Sequence, residues 1–127
     1  MKTIKFLHCA DLHLDMPFTS LGAAGSKSAI RREDIKKTFC RIIDTAKNEN
    51  VDAILIAGDL YEHEYARKST INFVNDCFYE IPDIRVIISP GNHDPYVSNS
   101  FYQNYSWSAN VSILSGQQPY VKVGDTA

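Results

Sequence analysis

The stretch Ile84-Arg85-Val86-Ile87-Ile88-Ser89-Pro90-Gly91-Asn92-His93-Asp94 decides the reading of this chain. A β-branched run ends in three turn-forming residues, and three polar side chains follow without a gap. Short, apolar and closed by a turn, the run reads as a buried strand. Asn92, His93 and Asp94 then stand just past its carboxyl end, where open α/β sheets bind ligands. They offer an amide oxygen for a hard metal, an imidazole as proton donor and a carboxylate as orienting acceptor.

Two upstream segments end in the same way. Ala53–Ala57 is a second apolar strand, followed by Gly58-Asp59-Leu60-Tyr61-Glu62-His63. Thr3–Ala10 is a third, followed by Asp11-Leu12-His13-Leu14-Asp15. Between the strands lie two helical patterns. From about Ser28 to Asn50 an apolar stripe runs through Ile35, Phe39, Ile42, Ile43 and Ala46; over Ala66–Tyr79, Ile71, Val74 and Phe78 share a face and Pro82 stops the helix. Strand, helix, strand, helix, strand predicts a parallel βαβαβ unit with right-handed crossovers, its three strand ends along one edge. Beyond Pro95 the sequence predicts a short helix within Tyr96–Trp107 and strands at Val111–Leu114 and Tyr120–Val123. The small-residue loop Gly22–Ser26 is a rim of the site or a connector.

Composition sets the class. With 127 residues, 44% apolar and 22% charged, the chain fits one layered domain. The net charge of −2 leaves no electrostatic footprint for nucleic acid. Arg31, Arg32, Lys36 and Lys37 read as a solvated helix face. The first residues enter a strand directly, without a signal-peptide pattern, and no apolar run spans a membrane. Cys9, Cys40 and Cys77 form no Cys-x-x-Cys pair and read as reduced thiols. The expectation is a cytoplasmic protein with no membrane association.

Collected along one edge are Asp11, His13, Asp59, Asn92 and His93. Asp-x-His on an extended chain puts both side chains on one side, so a carboxylate and an imidazole can share an ion. Asp59 can bridge that ion to a second, which Asn92 also binds. Two ions about 3.5–4 Å apart hold a bridging hydroxide and clamp a phosphate for in-line attack. The mixed oxygen and nitrogen donors suit Mn²⁺, Fe or Zn²⁺. His8 reads as a packing residue or as a support behind the ligands. No Gly-x-Gly-x-x-Gly follows the first strand, which disfavours a Rossmann-type nucleotide binder.

Asp11-x-His13, Gly58-Asp59 and Gly91-Asn92-His93-Asp94 resemble the first three motifs of the calcineurin-like metallophosphoesterases. Cys9–Asp15, Leu55–Tyr61 and Val111–Leu114 are most similar to the SbcD-type DNA repair exonucleases. The resemblance implies the N-terminal half of a four-layered αββα sandwich. It implies two divalent ions, Mn²⁺ first, with Asp11, His13 and Asp59 on one ion and Asp59 and Asn92 on the other. It makes His93 a catalytic residue that stabilises the phosphoryl group or protonates the leaving oxygen, with Asp94 holding its ring. The implied reaction is hydrolysis of phosphodiester bonds in DNA by a metal-bridged hydroxide, with an SbcC-like ATPase as partner of the full-length protein.

The sequence departs from the family pattern twice. Its histidines are His8, His13, His63 and His93 only, so the later histidine ligands are absent. This reads as an N-terminal fragment whose exposed sheet edge favours self-association. Where the repair nucleases carry a catalytic histidine, three residues past Asp59, stands Glu62, with His63 next. Either His63 reaches the site, or Glu62 pairs with His93 as an acidic residue does in the protein phosphatases. Two rival functions follow: a phosphatase acting on protein or small-nucleotide phosphates, and a catalytically silent binding or assembly module.

Overall fold

The computed structural model describes residues 3–17 and 25–124. Four strands, β1 (Phe6–Cys9), β2 (Ala53–Ala57), β3 (Arg85–Ser89) and β4 (Val111–Ile113), form one sheet in the order β1-β2-β3-β4. Every pairing is parallel, with Phe6 beside Ala53, Ala53 beside Arg85 and Val86 beside Val111. Helices α1 (Gly25–Asn48) and α2 (Lys68–Tyr79) form the first two crossovers, and a single turn, α3 (Phe101–Asn104), precedes β4. This is the expected α/β architecture.

Because each strand adds on the same side of the last, crossovers of one hand put both helices on one face. The rings of Phe39 on α1 and Phe78 on α2 meet there at 5.7 Å. The period-two alternation of the strands then divides their side chains between faces. Ile54, Ile56, Val86 and Ile88 join Phe39, Ile43, Ala46, Ile71, Val74 and Phe78 in the main core. Ala53 and Ile87 point the other way, against Leu55, Leu114 and Val123 in a smaller apolar cluster. His8, paired in register with Leu55, is exposed on that second side and takes no part in the site.

The element ends differ from expectation by a few residues, for local reasons. The helix expected from Ser28 begins at Gly25, and the rest of the small-residue loop, through Ala24, lies outside the described residues. Asn50 closes α1 in the left-handed region at φ 50°, where asparagine is tolerated. The expected strand at Tyr120–Val123 is reduced to a single bridge at Val123. Ser115 and Gln118 form a tight turn there, and Pro119 lacks the N–H that a ladder needs. Asn110 is buried, and its amide donates to the carbonyls of Phe78, Ile81 and Ile84 at 2.9–3.0 Å. One side chain thereby ties the end of α2 and the turn into β3 to the start of β4.

Candidate metal centre

The loops after β1 and β2 run side by side beyond the last strand residues. Asp11 N–H donates to the Gly58 carbonyl (3.1 Å), His13 N–H to Asp59 (2.9 Å) and Leu14 N–H to Leu60 (3.0 Å). The chain is not extended there, as Asp-x-His on a pleat would require. Asp11, His13 and Asp15 have φ of 59°, 49° and 65°, and Asp59 has 54°. Left-handed backbone at four non-glycine residues is uncommon, and such strain collects at functional sites. The carboxylates of Asp11 and Asp59 and the imidazole of His13 converge, with one donor atom from each within 4.8 Å of the others.

Gly91 makes this approach possible. A Cβ on it would stand 2.5 Å from Asp59 Oδ1 and 2.8 Å from Asp59 N, distances that real side chains do not adopt. The same oxygen accepts the His93 N–H at 2.9 Å, which fixes the carboxylate. Gly91→Ala is therefore expected to lower metal affinity by about tenfold to a hundredfold, the range for displacing a group that orients a ligand. Isothermal titration with Mn²⁺ measures this, and an unchanged affinity would show that Asp59 is not held by that contact.

Glu62 organises the two histidines. It is 7% exposed; Oε1 lies 3.0 Å from His13 Nδ1 and Oε2 lies 2.9 Å from His93 Nδ1. A carboxylate oxygen accepts, so both Nδ1 atoms carry the proton and both Nε2 atoms are left for an ion or substrate. The rings stand edge to face, centroids 5.2 Å apart. Of the two sequence possibilities at this position, the Glu62–His93 contact is formed, and His63 also lines the adjoining cavity.

The hydrogen bond to Glu62, and then its charge, holds the exposed His93 imidazole above its ordinary value of 6.5. Its contribution to the metal-free fold is thus complete below about pH 6.5 and is lost as the pH rises through the raised value. Glu62→Gln is expected to lower the His93 midpoint. NMR titration of the EDTA-treated protein reads this directly, and an equal midpoint in both proteins would refute the pairing.

Asp94 requires a correction. It does not hold the His93 ring. Its carboxylate is fully buried and accepts the N–H groups of Asp59 (2.9 Å), Leu60 (2.9 Å) and Gly91 (2.6 Å), together with the hydroxyl of Tyr102. The turn after β3 aims residue 94 inward as residue 93 faces out. Asp94 therefore splices the loop after β2 to the loop after β3.

Asn92 is exposed and lines, with His93 and His63, a cavity of about 400 Å³ beside the cluster. His63 donates its N–H to the His93 carbonyl at 2.8 Å, and its buried Nδ1 has no partner among the described residues. Asp15 accepts the N–H of Arg67 at the start of α2 (2.8 Å), which anchors the loop after β1 from its far side. Tyr102 escaped the sequence reading, because only the register of α3 shows that its hydroxyl reaches Asp94.

The donor set fits a divalent cation. Among the described residues no lysine or arginine pairs with Asp11, Asp59 or Glu62, and the basic groups beside these carboxylates are the imidazoles of His13 and His93. Burial pushes the Cys9 thiol up, and burial followed by Cys40 pushes Cys77 up to about 12; among the described residues no cysteine joins the converging donor groups. Oxygen and imidazole donors remain.

Known proteins resemble this chain over most of its length. Residues 4–124 match the calcineurin-like phosphoesterase family profile. An uncharacterized metallophosphoesterase of Bacillus subtilis strain 168, YhaO, is 32% identical over 122 residues, covering 94% of this chain and 29% of that protein. The DNA double-strand break repair protein Mre11 of Aeropyrum pernix is 33% identical over 92 residues, covering 71% and 21%, respectively. Its namesake in Saccharolobus solfataricus is 24% identical over 126 residues, covering 95% and 31%. The crystal structure of Pseudomonas putida nuclease MPE shares the fold, with a TM-score of 0.57 and 20% identity over 86% of this chain and 46% of that one.

The chain belongs to the calcineurin-like phosphoesterase family. Its relatives include Mre11 repair proteins, and it spans between 21% and 31% of the length of the three curated relatives described.

Proposed function

We propose that this chain carries the metal-binding edge of a phosphodiesterase acting on DNA as an exonuclease or repair nuclease subunit. The observation that carries the reading is the convergence of Asp11, His13 and Asp59. Asp11, His13 and Asp59 would hold one divalent ion and Asp59 with Asn92 the other, Mn²⁺ ahead of Fe or Zn²⁺. When bound, the ions supply hydroxide near neutral pH and positive charge for the phosphoryl oxygens. Glu62 orients His13 as a ligand and His93 toward the cavity. His93, its Nδ1 held by Glu62, presents Nε2 to the leaving oxygen and serves as the proton donor. Asp94 acts on the reaction only through the loops that it joins.

In this reading residues 1–127 form the amino-terminal part of the domain, the N-terminal half of an αββα sandwich, and the remaining ligands come from residues outside it. The apolar cluster on the second face of the sheet supports that arrangement, since a second sheet would cover its partly exposed members Ile4, Leu55, Leu114 and Val121. Among the described residues no helix is long and apolar enough to cross a membrane; the reduced-thiol reading of the three cysteines supports a cytoplasmic site of action. The SbcD-type resemblance supplies an SbcC-like ATPase as partner, and the open sheet edge a route to self-association.

The Glu62–His93 contact favours a second reading, a phosphatase acting on protein or small-nucleotide phosphates. Hydrolysis of bis-p-nitrophenyl phosphate and of p-nitrophenyl phosphate by the full-length natural protein in Mn²⁺ separates the two. A preference for the diester is expected; the reverse preference would transfer the assignment to the phosphatase. No hydrolysis and no bound metal would instead mark a silent assembly module.

A further inference from the structure

The two crossover helices run parallel to each other, since each returns against parallel strands on the same face of the sheet. Side chains at matching positions along them therefore meet turn by turn. The ammonium of Lys36 on α1 stands 5.7 Å from the centre of the Phe73 ring on α2. Phe39 touches both Phe73 (6.0 Å between ring centres) and Phe78 (5.7 Å), which fixes the register. Four residues beyond Lys36 stands Cys40, and four beyond Phe73 stands Cys77. One turn on along both helices, the pair Lys36–Phe73 is thus followed by the pair Cys40–Cys77. Burial of Cys77, and then the neighbouring thiol of Cys40, push Cys77 upward, in agreement with that contact.

The two thiols are both half-buried but differ in setting. Cys40 opens onto a surface groove that it lines with Lys36, Lys37 and Arg41, against the one carboxylate of Glu33. An accessible thiol among positive charges is the kind that attacks as a thiolate. Cys77 packs against the main core instead. An accessible thiol with a second one beside it is the arrangement in which a sulfenic acid is resolved to a disulfide. None of these residues belongs to the metal edge, so the pair stands apart from the proposed reaction.

We propose that Cys40 and Cys77 are a peroxide-responsive pair, reduced at rest, whose disulfide staples α1 to α2. The Cys40 thiolate attacks one oxygen of the peroxide. The S–O bond forms, the O–O bond breaks, and the leaving hydroxide takes up the thiol proton as water. The Cys77 sulfur then attacks the sulfenic sulfur of Cys40. The S–S bond forms, the S–O bond breaks, and hydroxide leaves with the Cys77 proton as a second water. The two sulfurs give up one electron each and the peroxide takes both. The new bond closes a loop that contains β2 and the segment Asp59–Glu62, and so disfavours the unfolded chain.

The test takes the full-length natural protein, reduced and freed of reductant, and treats it with hydrogen peroxide. Remaining thiols are alkylated with iodoacetamide and the protein is digested with trypsin. Cleavage after Lys37, Arg41, Lys68 and Arg85 puts the two thiols on the peptides Thr38–Arg41 and Ser69–Arg85. The expected product is these two peptides joined, about 2 Da below the sum of their masses and separated by dithiothreitol. In Cys77→Ser, the sulfenic acid on Cys40 is expected to persist and be captured by dimedone. In Cys40→Ser, Cys77 is expected to stay open to alkylation. Peroxide is expected to raise the urea midpoint of the wild-type protein by about 1 M and to leave both variants unmoved. The wild-type digest decides the pairing without either variant. Cys40 carried to the sulfinic acid while Cys77 is still alkylated would overturn the proposal, as would linkage of either thiol to another cysteine. A joined pair with an unmoved midpoint would overturn the staple.

Discussion

Replacing Asp94 by alanine is expected to lower the stability of the domain by about 4 kcal/mol and to disable the metal edge with it. The side chain is fully buried and accepts three backbone N–H groups and the Tyr102 hydroxyl. Each donor stranded in the interior costs about 1–3 kcal/mol, against a total of about 5–15 kcal/mol for an ordinary domain. Burial, and then the charge of Asp94, holds the Tyr102 phenol well above its usual range, so it stays a donor. Tyr102→Phe removes one of the four contacts and is expected to cost only about 1 kcal/mol. Urea denaturation of the two variants measures the difference. Equal midpoints would mean that Asp94 is not the splice described.

The second large effect concerns chemistry. Asp59→Asn keeps the shape of the side chain and an oxygen to accept the His93 N–H, but removes the charge from the position where three donor groups converge. Diester hydrolysis by the full-length protein is expected to fall by about a thousandfold, in line with the several kcal/mol a metal site contributes. Bound Mn²⁺ should fall together with the rate, while the urea midpoint of the metal-free protein moves little. A variant that kept its metal and its rate would remove Asp59 from the site.

The fold was legible because its signals are local. Ile54 and Ile56, Phe39 and Ile43, and Ile71, Val74 and Phe78 advertise their faces through spacing alone. The convergence of Asp11, His13 and Asp59 was legible for a related reason: residues just past parallel strands share one edge. The choice of partner across that edge was not. Asp94 follows His93 in sequence and looked like its companion, yet the turn sends it inward to backbone donors on another loop. Glu62, thirty-one positions from His93, takes that place. Such pairings depend on loop paths that no periodicity encodes, and the left-handed backbone of Asp11 and His13 is equally silent in the sequence.

That backbone also narrows the paths open to this lineage. Four non-glycine positions at the site hold positive φ, and three are aspartates, a residue type unusually tolerant of it. A β-branched or bulky replacement there pays a conformational penalty of about 1–2 kcal/mol before any loss of chemistry is counted. Under the proposed function, selection for catalysis and selection for folding therefore favour the same small set of residues. A descendant released from catalysis would drift first toward asparagine and glycine, and its loops would keep their outline long after the reaction had gone.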